Sequence, residues 1–268
     1  MVNEMRMIVS LIVIWITTLF ANAFGQTLVF PHLTDGNIGD GSRWSTELDL
    51  VNTSSSEQTA RVSFFNPDGT PKLVVFPRDT GLGTLSSVTF TFAPEQLRVV
   101  QIDSGFQSDH PLQTGWVLVE GSIGIKGLII FRRIERPFVG KILSEVAFQP
   151  HSPVSKIDFI PQIPTLASGG ESAAENVPMV AYALVNPDPL VTAVGDIHLF
   201  DASNQQLIAT SSFTLPPRGQ LAEYIEQRFG GSSISGNRLY VRVVVNTGKV
   251  SGIALRVVGT SIASIAIN

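Results

Sequence analysis

Thr59-Ala60-Arg61-Val62-Ser63-Phe64-Phe65, closed by Asn66-Pro67-Asp68-Gly69, is the stretch that decides the fold. Ala60, Val62 and Phe64 alternate with Thr59, Arg61 and Ser63. A period of two puts the apolar set on one face of an extended strand and the polar set on the other. The closing residues carry proline and glycine where a tight turn needs them. The same pattern returns later in the chain. Gly195, Ile197 and Leu199 alternate with Asp196 and His198, and Phe200-Asp201-Ala202-Ser203-Asn204 stands in the place of the turn.

Working outward, the correspondence holds in order. Leu50-Val51-Asn52 is answered by Leu184-Val185-Asn186, and Phe90-Thr91-Phe92-Ala93-Pro94 by Phe213-Thr214-Leu215-Pro216-Pro217. Gly127-Leu128-Ile129-Ile130 is answered by Gly252-Ile253-Ala254-Leu255, and 140–148 by 259–267. The openings align as Val29-Phe30-Pro31-His32 against Phe159-Ile160-Pro161-Gln162. The chain therefore reads as two copies of about 120 residues, one domain each, with a period too long for a solenoid. Copy one covers 27–150 and copy two 157–268. His151-Ser152-Pro153-Val154-Ser155-Lys156 is the linker between them. Copy one carries about eleven extra residues around Arg78–Ser87, read as a longer hairpin or loop.

Val88, Phe90 and Phe92 repeat the two-residue period, as do Phe213 and Leu215. Many short strands with turn signals between them read as sandwiches. The expectation is an all-β chain: two tandem immunoglobulin-like antiparallel β-sandwiches after a signal peptide. The one helical stretch is Leu221 to Phe229, ended by Gly230-Gly231.

Composition agrees. The chain has 268 residues, 44% hydrophobic and 15% charged, which is too apolar for a disordered polymer. It has no cysteine, which excludes disulfide scaffolds, thiolate metal sites and cysteine nucleophiles. A net charge of -4 gives no electrostatic footprint for nucleic acid. Arg6, the apolar run Ile8–Phe20 and Ala21-Asn22-Ala23 have the layout of a signal peptide over 1–23. Cleavage is expected after Ala23, with Gly25 the alternative. No later stretch is long enough to span a bilayer, so the protein is expected to be exported, periplasmic or extracellular.

Thr46-Glu47-Leu48-Asp49-Leu50-Val51-Asn52, the Asn66–Gly69 turn, Gly115-Trp116-Val117-Leu118-Val119 and Gly127-Leu128-Ile129-Ile130-Phe131-Arg132 bear a resemblance. In this order they resemble a group of uncharacterised secreted bacterial tandem β-sandwich proteins. Leu-Val-Asn-Pro, Asp-x-x-Gly, Pro-Pro and Gly-Trp-Val motifs recur in that group. Copy two keeps Leu184–Pro187 and Pro216-Pro217 but lacks the tryptophan; copy one has Thr53 where the proline would stand. The resemblance implies an immunoglobulin-like sandwich and no activity.

Chemistry is sparse. His32, His110, His151 and His198 show no paired ligand spacing, and His198 lies on a water-facing strand side. Asp35, Asn37 and Asp40 form a weak Ca²⁺ candidate loop, but Asp40 occupies the sixth place, where an EF-hand requires glycine. There is no Gly-x-Ser-x-Gly elbow, and Gly81-Leu82-Gly83 lacks a dinucleotide fingerprint. Glu223 and Glu226 read as a solvated helix face. Arg132, Arg133, Arg136 and Lys141, broken by Glu135, read as a salt-bridge cluster or domain contact. Trp116 shares a face with Leu118, and Trp44 with Leu48 and Leu50, so both tryptophans are assigned to core sides. On this alignment Trp116 answers Val241.

The leading functional expectation is a non-catalytic exported interaction or structural module with no cofactor. Its partner would be an envelope protein or glycan. The alternative is a carbohydrate-binding sandwich, which needs displayed aromatic rings. A hydrolase, the least favoured reading, would look to His32 with Asp35 or Asp40.

Overall fold

The computed structural model describes residues 25–102, 110–135, 141–160, 179–230, 239–258 and 261–268. The predicted signal segment, Arg136 and Gln162 lie outside them. The first half contains β1 (Gln26–Asn37), β2 (Ser42–Asn52), β3 (Gln58–Phe65), β4 (Val74–Val75), β5 (Thr84–Leu85) and β6 (Ser87–Phe92). It continues with β7 (Leu97–Ile102), β8 (Gln113–Gly121), β9 (Ile125–Glu135) and β10 (Ile142–Phe148). The second half contains β11 (Lys156–Phe159), β12 (Met179–Val185), β13 (Ala193–Asp201) and β14 (Leu207–Leu215). After these come β15 (Gln220–Tyr224), the short helix α1 (Ile225–Phe229), β16 (Leu239–Thr247), β17 (Ser251–Val258) and β18 (Ser261–Ile265). The chain is all-β, and its sheets are antiparallel.

In the first half, β1-β8-β3-β6 lies against β10-β9-β2-β7. In the second, β11-β16-β13-β14 lies against β15-β12-β17-β18. The strand orders match, with β15-β12-β17-β18 corresponding to β7-β2-β9-β10. Each pair of sheets closes on an apolar layer. Phe30, Phe64 and Val119 meet Leu48, Ile129 and Phe131 in one cluster, and Ile157, Leu199 and Val243 meet Leu184 and Ala254 in another. Burial of these alternating residues is the main stabilising term in a chain without crosslinks. The added residues of the first half contribute the small β4–β5 hairpin.

β1 belongs to two sheets. It pairs with β8 up to Phe30, bulges, resumes at Leu33, and then pairs with β2 through Gly36 and Asn37. Pro31 sits in the bulge, where its missing N–H costs no ladder bond.

The Leu-Val-Asn repeat has a physical cause. Leu50 pairs with Gly127 and Leu184 with Gly252. A Cβ on Gly127 would lie 2.9 Å from both Leu50 and Phe30, and one on Gly252 would lie 2.9 Å from Ile157. Each glycine therefore leaves room for core side chains. Asn52 and Asn186 are fully buried. Asn52 Nδ2 donates to Ser56 O at 2.8 Å and Ala93 O at 3.0 Å. Asn186 Nδ2 donates to Val191 O at 2.7 Å and Pro216 O at 3.0 Å. In each half the amide ties the strand end to its loop and to the end of a strand in the facing sheet.

The ladders correct the alignment by one residue. Phe30 faces Val117 while Phe159 faces Val241, and Phe65 faces Trp116 while Phe200 faces Tyr240. Phe159 thus answers Phe30, Val241 answers Val117, and Tyr240 answers Trp116. The predicted helix is also corrected. Gln220–Tyr224 is an edge strand on β12, and only Ile225–Phe229 is helical. Pairing with β12 outweighs the local helix preference of a five-residue stretch. Among the described residues, no helix is long and apolar enough to cross a membrane.

Candidate functional site

The site begins at the seam between the halves. β8 is buried on both faces. Val117 and Val119 enter the first core, while Trp116 and Leu118 pack with Val29, Phe65 and Val185 on the opposite side. Trp116 is fully buried, as its parity with Leu118 suggests, but against the second half and not in its own sandwich core. Phe65 stacks on it at 4.7 Å, and the Arg218 guanidinium covers the Phe65 ring at 5.1 Å.

Donors cross the seam to backbone carbonyls, while Gln220 Oε1 and one Arg218 Nη are buried without a partner. The Trp116 indole N–H donates to Arg218 O at 2.8 Å. Gln220 Nε2 donates to Pro31 O and Gly115 O, both at 2.8 Å, and Gln220 N–H donates to Pro67 O at 2.8 Å. Gly69, at φ +88°, lets the Pro217 carbonyl approach to 2.4 Å of where a Cβ would stand. Only glycine fits both that angle and that approach. Buried donors with partners avoid the desolvation cost of unpaired ones, so this seam holds the halves in one geometry.

Beside the seam lies a cleft of about 270 Å³, with walls from both halves. Its polar and aromatic wall is His32, Trp44, Tyr182, Glu223, Tyr224 and Gln227. β2 supplies Trp44, which packs partly buried on the first core. β12 supplies Tyr182, β15 supplies Glu223 and Tyr224, and α1 supplies Gln227. Gln227 Oε1 accepts the Tyr224 N–H at 2.8 Å, which caps the helix start. The Glu223 carboxylate accepts from the Tyr182 hydroxyl and from Arg228 Nε. Arg228 is anchored in turn on Ser211 Oγ at 2.9 Å. Burial, and after it the Glu223 carboxylate, push the Tyr182 phenol up. His32 is edge-on to Phe131 at 5.4 Å, and burial lowers its pKa to about 4, leaving a neutral imidazole. The cleft thus offers aromatic faces, one fixed carboxylate and a neutral ring.

Of the sequence-predicted candidates, His32, Trp44 and Glu223 line this cleft, whereas the Ca²⁺ candidates Asp35, Asn37 and Asp40 do not. Asp35 and Asn37 belong to β1. Asn37 N–H donates to His110 O at 2.9 Å, and its side-chain oxygen accepts Gly39 N–H at 3.3 Å. Asp40 accepts Ser42 N–H at 2.9 Å and Ser42 Oγ–H at 2.6 Å, and pairs with Arg133. Desolvation works upward on the Asp40 carboxyl, but the Ser42 hydrogen bonds and the Arg133 charge outweigh it and hold it low. Among the described residues, no three His, Asp or Glu side chains converge as a metal set. His198 lies on the outer face of β13, bonded to Thr210 at 3.0 Å, and the His151 N–H donates to Val29 O.

Arg132 pairs with Glu47 and Glu145, and Lys141 lies 3.7 Å from Glu135, so the basic cluster is internally neutralised. Glu223 stands on a strand, not on the helix face assigned to it, because its backbone pairs with Tyr182. Arg218, Gln220, Tyr182 and Tyr224 were not singled out from sequence. The unbroken run Trp116-Val117-Leu118-Val119 was the available signal, since a strand apolar on both sides is buried on both sides.

No protein-family model matches this sequence, and no curated protein does. Solved structures give only faint likenesses. Anabaena sensory rhodopsin transducer is 12% identical over 38% of this chain and 97% of its own, with a TM-score of 0.29. Arthrobacter globiformis T6 isomalto-dextranase, complexed with panose, is 11% identical over 80% of this chain, with a TM-score of 0.24. This chain spans about a third of that enzyme, 35% of its length. Likenesses at this level bear on neither activity nor ligand.

Proposed function

We propose that the protein is a non-catalytic exported interaction or structural module of the cell envelope, working by surface contact from a tandem pair of sandwiches. The carrying observation is the seam. The Trp116 and Gln220 N–H donors are buried on carbonyls across the seam, giving a stiff scaffold that presents loops and edges at small entropic cost. The paired charges around Arg132 and Asp40 support contact by shape over ionic attraction. The signal-like N-terminus supports export. Two experiments test the reading. Residues 1–25 fused to a reporter that is active only outside the cytoplasm should yield activity. The full protein should also co-sediment with envelopes of the producing cell. An inactive fusion removes the export half, and recovery wholly in the soluble fraction removes the contact half.

The second reading, a carbohydrate-binding module, is favoured by the cleft. Trp44 and Tyr224 supply aromatic surface beside the fixed Glu223 acceptor, a combination suited to a sugar ring. Oligosaccharide titration followed by tryptophan fluorescence tests it, with Trp44→Ala as control. No saturable change in the unaltered protein removes this reading.

A further inference from the structure

The seam joins unlike surfaces, and each has a counterpart on the other half that stands outside the seam among the described residues. The receiving surface is the outer face of β8 and its neighbours: Val29, Phe65, Trp116 and Leu118. The inserting surface is Val185 with the turn into β15, carrying Arg218 and Gln220.

By ladder register, Phe200 and Tyr240 answer Phe65 and Trp116, and Asp158 and Arg242 answer the facing pair Val29 and Leu118. The aromatic pair is kept, with ring centroids 5.8 Å apart. The apolar pair has become ionic: Arg242 Nε donates to Asp158 at 2.9 Å, and its guanidinium lies 5.3 Å from the Tyr240 ring centre. Phe200, Tyr240 and Arg242 line an open hollow together with Ile160, which is 56% exposed. Among the described residues, none of the first half lines it.

The inserting surface is duplicated as well. Val51 faces Leu97 as Val185 faces Gln220. The turn before Leu97 places Glu95 at φ 59°, and the turn before Gln220 places Arg218 at φ 62°. Both are non-glycine residues in the left-handed region, so the two turns share an uncommon shape. Leu97 and Val99 stand 55% and 51% exposed on this edge. The inserting turn on the first half carries Glu95, and the receiving face on the second half carries Arg242. Arg242 is already paired with Asp158, so Glu95 would share it, where the internal seam uses Arg218 over Phe65.

We infer that the Phe200–Tyr240–Arg242 face of one molecule receives the Glu95–Leu97 turn of a second copy, so that copies join head to tail. This goes beyond the cleft and uses other residues. An interface between unlike surfaces extends into a line unless its rotation closes a ring. Gln205 (φ 59°) holds, beside the second face, the turn place that Gly69 holds beside the first. A side chain there stands where the first turn needs none, so the second contact is less close than the seam.

Sedimentation velocity of the exported, purified protein over a wide concentration range tests this. The mean mass should rise with concentration. Leu97→Asp, at an exposed position, should weaken association about tenfold or more by placing an unpaired charge in the contact. Glu95→Arg and Arg242→Glu should each weaken it, and the double variant should restore it. An equimolar mixture of the two single variants should associate again by alternating, because each turn meets a face of opposite charge only on the other variant. Thermal melts check that the variants fold, and Leu97→Asp keeps the test decisive if Arg242→Glu does not. A monomer at all concentrations overturns the inference, including the case where residues 161–178 of the same chain cover the face. Association indifferent to Leu97→Asp and Glu95→Arg overturns it too. Envelope co-sedimentation is read separately, so either reading can fail alone.

Discussion

Replacing Trp116 with alanine tests the seam most directly. The side chain is fully buried, stacked on Phe65 at 4.7 Å, with its indole N–H on Arg218 O. Removing a buried ring of this kind costs about 3–5 kcal/mol through lost burial and the cavity left behind. The Arg218 carbonyl also loses its donor, which adds about 1–3 kcal/mol if no water replaces it. The total, about 4–8 kcal/mol, is comparable to the stability of a whole domain. The seam should therefore open before either core does. Trp116→Phe keeps a ring against Phe65 and loses chiefly the hydrogen bond, so it should cost about 1–2 kcal/mol. Urea unfolding followed by far-ultraviolet circular dichroism provides the measurement. The unaltered protein should unfold in one transition, and Trp116→Ala should split it into two shallower ones, each exposing less surface. A single transition of unchanged slope, displaced by under about 1 kcal/mol, would refute the reasoning, because the seam would then hold nothing together.

Asn52→Ala and Asn186→Ala should each destabilise by about 2–4 kcal/mol, because each strips donors from several buried carbonyls at once; denaturant midpoints check this. His32, with its folded pKa lowered to about 4, makes stability fall with acidification. Above about pH 6.5 both states are neutral; below it the unfolded chain takes up a proton that the folded chain refuses, so stability is lost down to about pH 4, by roughly 3 kcal/mol. His32→Leu should flatten that part of the melting-temperature profile, and an unchanged profile would assign the loss elsewhere. Gly127→Ala should cost more than Gly39→Ala. Its new methyl meets Leu50 and Phe30, whereas the Gly39 position is open and carries only the strain of φ +84°; paired thermal melts decide.

Much of the sandwich was legible because the two-residue period reports which residues share a face. Ala60, Val62 and Phe64 lie in the core as read. The Leu-Val-Asn and glycine motifs matched in the ladders as aligned, since each side chain there fits one local space. The alignment slipped by two residues in the last strand, where Phe148 answers Ile265, and by one around Val29–His32 and Trp116. Both strands there carry apolar residues on both faces, so alternation no longer marks a register. The helix was overextended for a related reason. Leu221 to Tyr224 lacks any strong local signal, and its pairing partner β12 lies about forty residues away. The cleft was not legible at all, because Trp44, Tyr182 and Tyr224 are far apart in sequence.

The sequence by itself determined strand, turn, the matched order of motifs and the absence of any crosslink, because these follow from local spacing and composition. Only the tertiary structure decided which apolar face became core and which became seam. Hydrophobic burial is non-directional: Trp116 is equally satisfied by its own sandwich or by its neighbour. What selects the neighbour is the set of hydrogen bonds from Trp116 to Arg218 and from Gln220 to Pro31, Pro67 and Gly115, which form only when both halves are folded and in contact.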